Sequence, residues 1–328
     1  MNQEAGVPSK SIEALLTTPI PHKLWHYTSY VGLHGILKSG TIWATDLRYL
    51  NDHQEFVHAI GLSEKLADEV GDSEKYKPEL RVLLKNAINN AFLVGPLRAD
   101  RRQIFVASFS AAEDQLSQWR AYSAGSSGVS ISFDLTLVRP QAATHTDLVF
   151  APCVYDDKQK MALLENAFSH IDVTIAQWAE AFDEAVRKDP DLIKKLKTPS
   201  DIDRHIRAPG LAERLQTAVG KVTFDLVRIC PLLKHSKFSE EMEWRLVLPG
   251  SMTKQVQRPF AEFRPVRDTL IPYMAFPLPK REDCTIPMND LIVGPGSHSE
   301  VEAAMSSFLT SCDLRVIPRK SDVPYRPW

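Results

Sequence analysis

Between Lys23 and Thr45 the chain reads "KLWHYTSYVGLHGILKSGTIWAT". An aromatic-rich run of extended type gives way to Val31, Leu33, Ile36 and Leu37, spaced to bury one face of a helix. Ser29 stands where a helix N-cap belongs and Gly40 where a helix stops, after which "TIWAT" resumes extended structure. A polar loop, "DLRYLNDHQEF", precedes two helical patterns, one from about Phe56 to Val70 and one from about Pro78 to Phe92. Extended patterns return at "QIFVASFS". A polar helix or loop, "AAEDQLSQWRAY", and the flexible "SAGSSG" then lead to "VSISFDL", where Val129, Ile131 and Phe133 alternate with serines and predict one buried face. "LVFAPCVYD" reads as a further strand. From about Asp156 to Leu233 the periodicity is helical, and the chain then reverts to strands at "EWRLVLPG", "LIPYMAFPL", "LIVGP" and "LRVIP", with one helix from about Glu300 to Leu309. The pattern predicts a β-rich α+β core interrupted by a helical insertion at about 156–235. Residues 1–22 read as an N-terminal extension, 23–328 as one domain, and "SDVPYRPW" as a surface tail or a strap over the core.

Composition changes this picture little. With 328 residues, 44% hydrophobic content and a formal net charge of -2, the chain is of the size and polarity expected of a soluble globular protein. No apolar run approaches the roughly 18 residues of a membrane span, and "MNQEAGVPSK" lacks the charged start and apolar block of a secretion signal. Cys153, Cys230, Cys284 and Cys312 are widely separated, which points to reduced thiols, a cytoplasmic location and no cysteine metal site. His53 and His58 lack the i, i+4 spacing of a helical metal pair. The short basic clusters Arg98–Arg102 and Lys194–Lys197 read as solvated faces, with nucleic-acid contact as the alternative. Phosphate-loop, dinucleotide-fold, zinc-protease and serine-hydrolase motifs are absent from the sequence.

Three segments combine chemistry with a strand end: "LWHYTS" with His26, Tyr27 and Thr28; "FVASFS" and "LSQWRAY" with Ser108, Trp119, Arg120 and Tyr122; and "SEEMEWRLV" with Glu243. Each also has a plain packing role. His26 fits a satisfied core histidine, Trp119 and Tyr122 fit packing aromatics, and Glu243 fits a strand-end carboxylate paired with Arg245. Alternation of Trp244, Leu246 and Leu248 with Arg245 and Val247 starts a strand at Glu243, which gives that carboxylate a defined direction, whereas Glu240 and Glu241 precede it in a loop. Arg48 and Asn51 of "RYLND" are expected to line the same cleft as His26, or else to form a structural turn capping the helix that begins near His53.

The order of histidine on the first strand, aromatic after a middle strand and glutamate opening a later strand resembles the His–Tyr–Glu triad of the ADP-ribosyltransferase superfamily. "HYTS", "RYLND", "SQWRAY", "EWR" and the final "PYR" also resemble a bacterial family catalogued as a domain of unknown function, from about Leu24 to Arg326. The first resemblance implies an ADP-ribosyltransferase-like fold and NAD as substrate, with no metal. It also implies a macromolecular acceptor (protein, RNA or DNA), and a toxin or phage-defence setting in which an inhibitor protein can accompany the chain. In that scheme Glu243 stabilises the ribose cation, His26 and Thr28 hold the adenosine ribose, and Tyr27 uses its backbone where many relatives carry glycine. Tyr122 stacks on nicotinamide above Trp119, Arg120 meets phosphate, and Glu241 orients the acceptor. The rivals are a catalytically silent nucleotide- or partner-binding module and an acid–base hydrolase or phosphotransferase using Glu243 and His26.

Overall fold

The computed structural model describes residues 11–50, 53–72, 104–123, 127–136, 148–176, 179–196, 211–249, 261–266, 268–282 and 286–324, with a few single positions between them. The chain divides into two compact units. One comprises Met1–Leu15, Asn51–Gln103 and Asp156–Lys234; the other comprises Leu16–Leu50, Ile104–Tyr155 and His235–Trp328.

In the first unit the described elements are helical. They include α1 (Ile12–Leu16), α3 (His53–Asp72), α5 (Asp157–Ala176), α6 (Ala179–Lys188), α7 (Leu192–Lys195) and α8 (Leu211–Ile229). Helices α5 and α8 pack together and are tied by His170 Nε2 to Asp225 Oδ2 at 3.1 Å. The insertion expected at about 156–235 thus shares its unit with the segment that carries α3. The expected helix at Pro78–Phe92 and the basic cluster Arg98–Arg102 lie outside the described residues. Lys194 and Lys195 pair with Asp191 and Asp189 on an exposed surface, as a solvated face requires.

The second unit is built on a mixed sheet of ten strands: β1 (Leu24–Thr28), β2 (Thr41–Asp46), β3 (Ile104–Ser110), β4 (Val129–Phe133), β5 (Val149–Pro152), β6 (Glu243–Pro249), β7 (Glu262–Val266), β8 (Thr269–Pro277), β9 (Met288–Val293) and β10 (Arg319–Lys320). Its α-helices among the described elements are α2 (Tyr30–Ser39), α4 (Leu116–Tyr122) and α9 (Val301–Ser311). The β1–α2–β2 passage follows the sequence closely. The Ser29 side chain accepts from Gly32 N, and Gly40 closes the helix in the left-handed region at φ 68°, its N–H bonded to Ile36 O. One face of the sheet carries the main core, with Leu24, Phe109, Ile131, Phe133, Phe150, Trp244 and Leu246 packed together.

Two expectations change. Strand β4 is buried on both faces rather than one: its serines 130 and 132 stand opposite Tyr27 and Trp25, and a second cluster of Trp25, Tyr27, Trp119 and Ile292 occupies that side. "LRVIP" is not a strand; Leu314 to Pro318 run without a ladder, and only Arg319 and Lys320 pair, parallel to β9. The β7–β8 hairpin went unpredicted because Glu262–Val266 has no regular alternation and is exposed at four of its five positions.

Candidate functional site

Strand β3 is the junction of the sheet. Along one edge it pairs with β6 over its whole length, from Ile104 with Pro249 to Ser110 with Glu243. Its other edge is shared. Phe105 and Val106 pair with β2, whereas β1 meets β3 only through Trp25 and Ser110. Ala107 to Phe109 have no strand beside them on that edge, so β1 and β3 part immediately beyond their single pair.

A cavity of about 50 Å³ opens at this divergence, lined by Trp25, His26 and Tyr27 of β1, Ser108 and Phe109 of β3, Gln118 and Tyr122 of α4, and Glu241 and Glu243 at the start of β6. Cross-strand partners share a sheet face, so Trp25, Ser110 and Glu243 lie on one face, while His26 lies with Ile131 and Phe109 with Trp244 on the other. Side chains from both faces can line one cavity only where the ladder between two strands is broken. The divergence of β1 from β3 is such a place.

His26 bridges the gap. Its Nδ1 lies 2.9 Å from the carbonyl oxygen of Ser108, an acceptor, so Nδ1 carries the proton and Nε2 is left as the ring's other polar atom. The ring lies 5.7 Å from that of Phe109. Burial among protein atoms holds the imidazole below its usual value of 6.5, partly offset by the Ser108 bond, so the neutral ring is the resting form. His26, expected to hold the adenosine ribose, thus spends its N–H on the sheet, and its Nε2 is left to meet a hydroxyl as an acceptor.

Glu243 is buried, with 4% of its surface exposed, and Arg245 two residues along the same strand face grips it in a fork. Nε donates to Oε1 at 2.8 Å and a terminal nitrogen donates to Oε2 at 3.1 Å. Its main chain is also fixed: Glu243 N–H donates to the Tyr155 hydroxyl, and Cys153 N–H donates to Glu243 O. Met242, between the two lining glutamates, is exposed and takes the left-handed conformation at φ 44°. Ser110 Oγ donates to the Glu241 carbonyl at 2.6 Å, which anchors the same corner to β3.

Helix α4 supplies the remaining wall. Trp119 is fully buried, and its indole N–H donates to Asp114 at 2.6 Å. Tyr122 is half-buried, packs on the cluster that contains Trp119, and reaches the cavity. Tyr27 is structural as well as lining: its hydroxyl donates to Ala112 O and accepts from Gln115 N, both at 3.0 Å, and its ring meets Trp119 edge-on at 4.9 Å.

Among the sequence candidates, then, His26, Tyr27, Ser108, Tyr122 and Glu243 come together at one cavity. Trp119 lies beneath its wall. Thr28, Arg48 and Arg120 are not among the lining residues. Thr28 Oγ1 sits 2.1 Å from where a Cβ on Gly32 would fall, at the entry to α2. Arg48 is clasped by Asp46, through Nε to Oδ1 at 3.0 Å and a terminal nitrogen to Oδ2 at 2.6 Å. That carboxylate also caps the short 3₁₀ turn Leu47–Tyr49; the cap considered for the helix at His53 would come from Asp52, which lies outside the described residues. Asn51 lies outside the described residues. Sequence reasoning missed Gln118, whose one available signal was its place four residues before Tyr122 on a helix.

A family model, Protein of unknown function (DUF2971), matches residues 118–246. The chain is similar to that family over this span. The match begins at Gln118 and takes in Tyr122, Glu241, Glu243 and Arg245 together with the helical segment between them; the β1 and β3 residues of the cavity fall outside it. No curated protein and no solved structure matches the chain.

Proposed function

We propose that the chain is an NAD-dependent ADP-ribosyltransferase acting on a macromolecule, either nucleic acid or protein. The observation that carries this reading is the cavity at the β1–β3 divergence, where an imidazole, an aromatic ring and a strand-held carboxylate converge. At roughly 10–15 Å³ for each water, about 50 Å³ accommodates a few waters and is smaller than a whole aromatic ring needs, so in this reading the nicotinamide end of a dinucleotide enters by one edge, with the rest of the molecule outside.

In this reading nicotinamide lies against Tyr122. As the bond from its ring nitrogen to the ribose C1 breaks, the bonding electrons leave with nicotinamide and positive charge develops on the ribose, as in glycoside cleavage. Glu243, fixed by its strand and by the Arg245 fork, is a preorganised anion for that charge and for a ribose hydroxyl. A nucleophile on the acceptor then bonds to C1 and loses a proton, for which Glu241 is the second carboxylate lining the cavity. His26 accepts a hydrogen bond from a ribose hydroxyl at Nε2. The products are free nicotinamide and an ADP-ribosylated acceptor.

The Arg245 fork also favours a second reading. It engages both Glu243 oxygens, which a catalytically silent nucleotide-binding module would tolerate and a transferase must overcome by exchanging part of that pairing for substrate. The purified chain is incubated with NAD and, separately, with NAD plus whole-cell RNA, DNA or protein. Release of nicotinamide and a mass gain of one ADP-ribose on an acceptor support the transferase. Saturable binding of NAD with no nicotinamide release assigns the silent module.

A further inference from the structure

Among the described residues, Gln118 is the one neutral amide side chain that lines the cavity. The residue is buried, with 6% exposed, and it lines the cavity. No hydrogen bond joins its side-chain amide to another described residue. Neither amide atom is among the fully buried, unpartnered polar atoms, so the group keeps contact with solvent. Whatever displaces that solvent from the cavity has to return its hydrogen bonds.

Gln118 and Tyr122 are four residues apart on α4, so they project side by side on one face of the helix. A flat ring lying on Tyr122 therefore presents its substituent toward Gln118. An amide offers one carbonyl acceptor and one NH₂ donor, and its complement is another primary carboxamide, which returns a donor to the acceptor and an acceptor to the donor. We infer that Gln118 is a specificity-determining residue that recognises the carboxamide of the nicotinamide ring and rejects its carboxylic acid counterpart. The inference rests on the transferase reading of the site and names the chemical feature by which that site selects its dinucleotide. A carboxylate in the same place accepts from the Gln118 NH₂ but sets an oxygen against Gln118 Oε1, so one hydrogen bond becomes a repulsive contact.

The test measures dissociation constants of NAD and of its nicotinic acid analogue, for the wild type, Gln118→Ala and Gln118→Glu, each checked for a native melt. The wild type is expected to prefer the carboxamide by roughly tenfold or more, the scale of one buried polar group left unpaired. Gln118→Ala should bring the two constants within about twofold of each other. Gln118→Glu, which keeps the shape, should reject the acid more strongly than the wild type does. A merely structural Gln118 would weaken both ligands alike and leave their ratio unchanged, which overturns the inference while leaving the transferase reading in place. If the wild type binds neither dinucleotide, the reading of the site fails and the inference fails with it.

Discussion

At the scale of single residues, Glu243 shows how one carboxylate can serve structure and chemistry together. Its charge is balanced by Arg245, itself 2% exposed, so removing one partner deprives the other of this fork inside the core. Breaking such a pair costs about 3–5 kcal/mol, whereas replacing both partners by apolar groups is often neutral or better. Glu243→Gln should therefore lower stability by up to that amount and reduce nicotinamide release at least ~10²-fold, the loss expected of a preorganised electrostatic group. The double change Glu243→Gln with Arg245→Met should recover stability without recovering turnover. Thermal melts and nicotinamide release on the same preparations check this, and turnover restored together with stability would show that Glu243 acts only as an ion-pair partner. Tyr122 and Trp119 separate in the same way. Tyr122→Ala should weaken NAD binding roughly tenfold or more, since stacking on an aromatic ring is worth ~1–3 kcal/mol. Trp119→Ala, at a fully buried site, should cost about 3–5 kcal/mol of stability. Titration calorimetry beside a melt distinguishes them; a folded Trp119→Ala that has lost NAD would reverse the two roles.

At the scale of elements, the cavity depends on how α4 is held against β1. Gln115 at the helix start makes no side-chain cap bond, and the Tyr27 hydroxyl fixes that end by accepting from Gln115 N and donating to Ala112 O. Tyr27→Phe leaves both backbone groups without that partner. It should cost about 1–3 kcal/mol and raise amide exchange through Leu116–Tyr122 before it affects the rest of the unit, which hydrogen exchange resolves along the chain. Much of this architecture was legible in the sequence. The Ser29 cap, the Gly40 stop and the start of β6 at Glu243 are written in local spacing and were placed correctly. What was not legible depends on pairing across the sheet. Nothing local to "LWHYT" says that β1 meets β3 through one pair only, and that single fact creates the cavity. The serines of β4 looked solvent-facing because alternation reports polarity, not what covers it; Trp25 and Tyr27 cover them. Arg48 looked available because its partner, Asp46, ends the preceding strand and carries no motif. Gly128 has the same character: a Cβ there would fall 2.2 Å from the Thr28 carbonyl, a constraint set by a strand about a hundred residues earlier.

At the scale of the whole molecule, the two units should answer differently to pH, because the buried group sensitive to acid lies in the strand unit and the one that first responds to alkali lies in the helical unit. In the strand unit, burial holds His26 below 6.5. The unfolded chain then binds a proton that the folded ring refuses, so stability is full above pH 6.5 and falls as pH drops from there toward the depressed value. In the helical unit, burial raises the Cys230 thiol from 9.0 to about 12, with Ser63 Oγ 3.7 Å away. The folded thiol keeps a proton that the unfolded one loses, so stability is full below pH 9 and falls from there to about 12. Tyr27, raised from 10.0 to about 12 by burial, adds the same sign of loss to the strand unit, beginning one pH unit higher. Each limb can fall by at most about 1.4 kcal/mol per pH unit for one proton. Melting curves collected from pH 5 to 11 should therefore show a plateau between about 6.5 and 9, bounded by an acid limb and an alkaline limb of different origin. His26→Gln should flatten the acid limb and leave the onset near pH 9 in place. Cys230→Ala should remove that onset, leave the acid limb intact, and move the first alkaline loss to about pH 10, where Tyr27 begins to titrate. A wild-type stability that does not change between pH 5 and 7 would show that the His26 imidazole is as readily protonated in the folded chain as in water. The neutral, Nε2-accepting ring assigned to the site would then have to be given up.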